Sequence, residues 1–245
     1  MAASLVLEEV VAGYGGLTVL NGTSLQAERG AITTIIGPNG AGKSTVFKTV
    51  FGLLPARAGR IVFEGREVTN LAPRRLLELG ISYVPQGRNI FPELSVRHNL
   101  ELGATAAAAQ RIDVAARVES VMDRFPMLRE RAGAQASTLS GGQQKLLEIA
   151  RALLLDPKLM LIDEPSIGLS PRLVQETFAI LHDLRAKGMT ILMVEQNAKR
   201  ALEISDYGVV IELGRTRMTG EARAILADPK VGQLFLGGGL ATDAA

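Results

Sequence analysis

Short, nearly unbroken apolar runs give the clearest pattern along the chain. Residues 31–36, 159–162 and 190–194 are aliphatic or β-branched almost throughout. Runs of that length without alternation suit strands buried on both faces, as in a parallel sheet. Other stretches carry helical spacing. Val46, Phe47 and Val50 predict a helix after Ser44, and Ile112, Ala115, Val118 and Met122 predict one in the middle of the chain. Residues 95–128 read as helical, a further helix runs from about 140 to 154, and 173–184 form another apolar stripe. Residues 5–11, 23–27 and 61–63 lean to strand between Gly-rich turns. Strands alternating with helices predict an α/β fold with a mostly parallel sheet covered on both faces. No repeat or clean linker divides the chain, so residues 1–245 are expected to form one domain, with a frayed Gly- and Ala-rich tail at 237–245.

Composition narrows the possibilities. The chain has no Cys, which excludes disulfides, thiolate metal sites and thiol catalysis. Its 27 Lys and Arg against 25 Asp and Glu leave a net charge of +2, and aromatics are 4% with no Trp. Neither a basic stripe nor a base-stacking platform is indicated, so no nucleic-acid partner is expected. No apolar run reaches the length of a membrane span, and the first ten residues carry Glu8 and Glu9 rather than a basic and then apolar leader. Work at a membrane would need a partner to hold the chain there.

Candidate chemistry begins where the 31–36 run ends. Gly37, Pro38, Asn39, Gly40, Ala41, Gly42, Lys43 and Ser44 match G-x-x-x-x-G-K-[ST] between a strand and a helix, and Thr45 follows. Such glycines let consecutive N–H groups turn inward around phosphates, and the next helix adds its positive end. Lys43 is expected to reach the β- and γ-phosphates and Ser44 to offer its hydroxyl to Mg²⁺, which makes ATP and Mg²⁺ the expected ligands. The 159–162 run ends in Asp163 and Glu164, where open α/β sheets bind ligands. Asp163 is placed to hold Mg²⁺, and Glu164 to polarise attacking water as general base. Ser140, Gly141 and Gly142, followed by Gln143, read locally as a capped helix start that could also bind an anion.

Leu-Ser-Gly-Gly-Gln-Gln at 139–144, between the phosphate loop and Leu-Ile-Asp-Glu-Pro at 161–165, resembles the ATP-binding subunits of ABC transporters. The likeness spans about residues 5–236. It implies a P-loop NTPase domain with a RecA-like core, an antiparallel β subdomain and a helical subdomain at about 88–155. It implies head-to-tail pairing, in which Ser140, Gly141 and Gly142 reach the γ-phosphate of a nucleotide held by the partner. By the same likeness Tyr14 stacks on adenine, Gln86 touches Mg²⁺ and signals to the membrane subunit, and residues 166–170 form the loop that crosses between paired domains, with Gly168 in place of the usual Ala. Gln196 stands where the family usually has a His at the γ-phosphate; His98 and His182 do not fit that place. Gln donates a hydrogen bond but carries no proton or charge.

Val-Glu-Gln-Asn at 194–197, Val-Pro-Gln-Gly-Arg-Asn-Ile-Phe-Pro-Glu-Leu-Ser-Val at 84–96 and Glu-Pro-Ser-Ile-Gly-Leu-Ser-Pro at 164–171 resemble the second ATPase subunit of bacterial branched-chain amino-acid importers. That implies a paralogous second ATPase, two transmembrane permease subunits, a solute-binding protein acting through the permease, and a place on the cytoplasmic side of the inner membrane. Gln86, where Glu is frequent in that group, is similar to urea and amide importers. A lipid exporter and a soluble non-transport ATPase are the other readings.

Overall fold

The computed structural model describes residues 3–104 and 113–235. Two sheets organise them. An antiparallel sheet holds β1 (Ala3–Tyr14), β2 (Leu17–Glu28), β4 (Ala56–Phe63) and β5 (Arg66–Glu67) in the order β2-β1-β4-β5. A six-stranded sheet holds β3 (Ile32–Ile36), β6 (Ile81–Val84), β7 (Leu159–Asp163), β8 (Thr190–Val194), β9 (Tyr207–Glu212) and β10 (Arg215–Glu221) in the order β10-β9-β3-β8-β7-β6. Pairs β9–β3, β3–β8, β8–β7 and β7–β6 are parallel, and β10 closes the edge antiparallel to β9.

The unbroken apolar runs have a clear cause. Along β7, Leu159 and Leu161 enter one core while Met160 and Ile162 enter another; Leu192 and Val194 of β8 oppose Ile191 and Met193 in the same way. One core joins the parallel strands to the antiparallel sheet and α1 (Lys43–Val50), through Phe47, Val46, Leu7 and Ile61. The other joins their opposite face to helices α3 (Val96–Gly103), α4 (Val114–Arg124), α5 (Pro126–Glu130), α6 (Gly141–Leu153) and α7 (Pro171–Ala186). Two-sided burial forbids polar alternation.

Several expectations shift in detail. β1, β2 and β4 run longer than their apolar centres, because pairing rather than burial sets their ends. Within the stretch 95–128 that reads as helical, α3 ends at Gly103, and Pro126 opens α5 at its first turn. Ile112 of the predicted stripe lies outside the described residues, as does the tail at 237–245. Ala115 is exposed, while Val118 and Met122 of that stripe are buried on α4 together with Val121. Helix α2 (Pro73–Leu79), β6, and the last segments α8 (Ala198–Glu203), β9, β10, α9 (Ala222–Ala227) and α10 (Pro229–Phe235) are additions to the sequence reading. Among the described residues, no helix is long and apolar enough to cross a membrane.

Candidate active site

The phosphate loop leaves β3 at Ile36 and enters α1 at Lys43. Gly40 and Gly42 take the left-handed region, at φ 81° and 102°. A side chain on Gly42 would also stand 2.9 Å from Leu20 Cδ2. Gly42 caps α1 with no side-chain hydrogen bond, so the first N–H groups of the helix are left to the loop. Lys43 is buried, and its ammonium folds back to donate to the carbonyls of Gly37, at 2.8 Å, and Pro38, at 3.0 Å. Burial lowers its pKa, and Glu164 and Asp163 oppose that.

The acidic end of β7 faces the loop. Ser44 Oγ donates to Asp163 Oδ1 at 3.2 Å. Tyr83 donates its hydroxyl to Asp163 Oδ2 at 3.3 Å, its ring set edge-on to Phe47. Gln86 Nε2 donates to Glu164 Oε2 at 2.8 Å, so Gln86 sits on the expected base rather than on Ser44 or Asp163. Glu164 adopts φ 47°, an uncommon state for a residue with a Cβ, and its N–H bonds Val194 O at 2.9 Å. Burial raises the pKa of both acids, and for Glu164 the charge of Asp163 adds to the effect.

Next to Glu164 lies a third carboxylate. Glu195 is 1% exposed and follows β8 as Glu164 follows β7. It accepts from Ser166 N at 2.8 Å, Ser166 Oγ at 2.9 Å and Gln196 N at 3.0 Å. Gln196 is exposed and lines a cleft of about 530 Å³ with Glu164, Ser166, Gly168 and Lys199. Gly168 has φ 69°, which gives a physical reason for Gly in the 166–170 loop. His98 and His182 are both exposed, on α3 and α7.

Lys43, Ser44, Gln86, Asp163, Glu164 and Gln196 therefore lie at the carboxyl ends of β3, β6, β7 and β8. Tyr14 is half-exposed at the end of β1, with Lys48 Nζ of α1 5.7 Å from its ring centroid. Ser140, Gly141 and Gly142 belong to a different element. They head α6 through a complete capping box, Ser140 Oγ accepting from Gln143 N and Gln143 Oε1 from Ser140 N. Among the described residues no hydrogen bond links them to the phosphate loop. The sequence reading missed Tyr83 and Glu195. A bulky aromatic ahead of Pro85 and an acid ahead of Gln196 were visible but carry no spacing signature.

The donor set fits a hard divalent cation shared with phosphates. Ser44 and Asp163 supply a hydroxyl and a carboxylate, and among the described residues no cluster of three or more His, Cys, Asp or Glu could bind a metal unaided. Mg²⁺ sites on nucleotides usually take one or two carboxylates plus substrate oxygens.

Residues 20–167 match the family model described as ABC transporter. The chain belongs to the ABC transporter family. It is 41% identical over 234 residues to the high-affinity branched-chain amino acid transport ATP-binding protein BraG of Pseudomonas aeruginosa, covering 96% of this chain and 100% of BraG. It is 34% identical to the lipopolysaccharide export system ATP-binding protein LptB of Escherichia coli K12, covering 96% and 98%. The crystal structure of the ADP conformation of MJ1267, an ATP-binding cassette of an ABC transporter, superposes with a TM-score of 0.86 at 33% identity, covering 97% of this chain and all of that one. This ABC protein is thus an ATP-binding, ATP-hydrolysing subunit of a transporter.

Proposed function

We propose that this subunit powers import of branched-chain amino acids. The observation that carries the reading is the end-to-end similarity to BraG, at a higher identity than to LptB. In this reading residues 1–245 form one ATPase domain, with residues 88–155 as its helical part.

The chain's own groups suit ATP hydrolysis. Lys43, held across the loop by two carbonyls, would exchange them for the β- and γ-phosphates. The N–H groups of Gly37, Pro38, Asn39, Gly40, Ala41 and Gly42, with those of Ser44 and Thr45, would cradle the phosphates, and Tyr14 would stack on adenine. Ser44 and Asp163, with Gln86 by the resemblance, would hold Mg²⁺, and the cation would supply charge neutralisation at the phosphates. Glu164, desolvated and held by Gln86, would accept the proton of attacking water. Gln196 would donate a hydrogen bond at the γ-phosphate without carrying charge. Ser140, Gly141 and Gly142 would complete the site on a paralogous ATPase that carries the usual His. Two permease subunits would dock near residues 87–100, a solute-binding protein would deliver cargo, and the complex would sit on the cytoplasmic side of the inner membrane.

A lipid-export reading is favoured by the LptB similarity. Uptake of labelled leucine, isoleucine and valine in a deletion strain separates the two. Import predicts lost uptake, restored by the parent chain and not by Glu164→Gln. Normal uptake in the deletion strain would end the import reading. Recovery of two polytopic proteins and a different ATPase with the tagged chain, extracted in mild detergent, tests the assembly.

A further inference from the structure

The carboxylate of Glu195 binds two functional segments at once. One oxygen accepts from the Ser166 N–H; the other accepts from the Ser166 hydroxyl and from the Gln196 N–H. Ser166 opens the loop that runs to Ser170, and Gln196 faces the cleft beside Glu164. The scaffold beneath is stiff. Asp163 pairs with Val194 across β7 and β8, Glu164 N donates to Val194 O at 2.9 Å, and Glu195 N reaches Ile35 O of β3 at 3.5 Å. The side chain is 1% exposed, yet none of its hydrogen bonds comes from Lys or Arg, and no ion pair to it occurs among the described residues. A buried, unpaired carboxylate is costly unless its donors hold it, and here the donors are the two segments themselves.

We propose that Glu195 is a positioning residue that fastens Gln196 and the Ser166 loop into one rigid unit beside Glu164. When this unit is intact, Gln196 and the crossing loop take up their places together. The proposal rests on the reading of Glu164 and Gln196 as groups that act at the nucleotide. Chemistry makes the carboxylate hard to replace. An amide offers one acceptor atom and one NH₂. In either orientation that NH₂ meets a backbone N–H, of Ser166 or of Gln196, and orphans it. Glu195→Gln therefore opens one arm of the clamp while keeping size and shape. Ser166→Ala removes the hydroxyl arm and leaves both N–H arms in place.

The test compares the parent chain, Glu195→Gln, Ser166→Ala and Glu164→Gln in the reconstituted transporter complex. ATP turnover is measured alongside binding of a fluorescent ATP analogue, and amide hydrogen exchange is followed at residues 166 and 196. Glu195→Gln should lower kcat about tenfold or more with KM and analogue affinity within about threefold, the pattern of a group that matters at the reacting geometry. Exchange at residues 166 and 196 should rise together in this variant. Ser166→Ala should give a smaller loss in kcat. Turnover within twofold of the parent in folded Glu195→Gln, or a rise in KM at unchanged kcat, overturns the proposal. If Glu195→Gln fails to fold, Ser166→Ala decides: a several-fold loss of kcat supports the clamp, and parental kcat overturns it. Retained hydrolysis in Glu164→Gln would instead overturn the underlying assignment of the base.

Discussion

At Glu164 both backbone and side chain are held in costly states. Its φ of 47° is strained for a residue with a Cβ, by about 1–3 kcal/mol for such conformations. Its carboxylate lies buried beside Asp163, and burial raises the pKa of Asp163, Glu164 and Glu195 alike. A raised folded-state pKa means that the folded chain binds protons more tightly than the unfolded chain. The stability from these groups is complete below the ordinary carboxylate values of 3.8 and 4.5 and is lost as pH rises through their higher folded values. Glu8, Glu78 and Glu119, all at the surface in whole or part, act with the opposite sign, since hydrogen bonds from Arg60, Arg75 and Arg97 hold them low, and they lose their contribution on acidification below 4.5. Glu164→Gln should therefore raise the melting temperature of the nucleotide-free chain at neutral pH, with a gap that narrows as pH falls toward the ordinary carboxylate range. Differential scanning fluorimetry across pH reads this directly, and a lower melting temperature at neutral pH would contradict it. The same substitution should cut ATP hydrolysis about a hundredfold or more while leaving ATP binding intact, checked by phosphate release and equilibrium binding. The position of Glu164, the proposed base, was legible from an acidic pair ending an apolar run. Its neighbour Glu195 was not, because nothing local to Val194-Glu195-Gln196 says that the carboxylate turns inward to bond Ser166.

Helix α6 shows what patterning can and cannot tell at the scale of an element. Ser140 with Gln143 announced its start, and the structure supplies the full capping box. Ser140→Ala should cost about 1 kcal/mol of stability, measured by denaturant unfolding. Three residues along, Lys145 and Glu148 look from spacing like an ordinary solvated pair. Both are 5% exposed. They bond each other, Lys145 Nζ reaches Gly87 O at 3.2 Å, and Glu148 accepts from Asn89 N at 2.5 Å. Arg151 adds a bond to Asn89 O and lies 5.2 Å from the Phe91 ring centroid. One face of α6 thus grips the segment that follows Gln86. Lys145→Met would leave Glu148 buried without its cation and should cost about 3–5 kcal/mol, seen as a fall in the unfolding midpoint. Surface charge in the same segment is a separate matter. Arg88 is exposed, and its reversal to Glu should uncouple hydrolysis from transport while the chain stays folded. Full transport by Arg88→Glu would move the docking site elsewhere.

At the scale of the whole molecule, Ser140, Gly141 and Gly142 share no hydrogen bond with the phosphate loop among the described residues. In the proposed head-to-tail pairing each nucleotide site takes residues from two chains. The isolated subunit should hydrolyse ATP slowly, with specific activity that climbs with protein concentration and rises further on adding a His-carrying paralogue; concentration-independent turnover would argue for a self-sufficient chain. The sequence by itself determined the apolar strands at 31–36, 159–162 and 190–194, the glycine loop between strand and helix, and the acids at Asp163 and Glu164. These are local patterns whose meaning is fixed by period and by residue chemistry. Tertiary structure decided the rest. It ordered the strands β10-β9-β3-β8-β7-β6, set β7 beside β8 so that Glu164 and Glu195 are neighbours, and brought Tyr83 and Gln86 onto the acids. It also turned Lys145 and Glu148 inward. Strand order and the direction of a polar side chain depend on contacts between residues far apart in the chain, and a pattern read within one segment carries no information about what another segment will place against it.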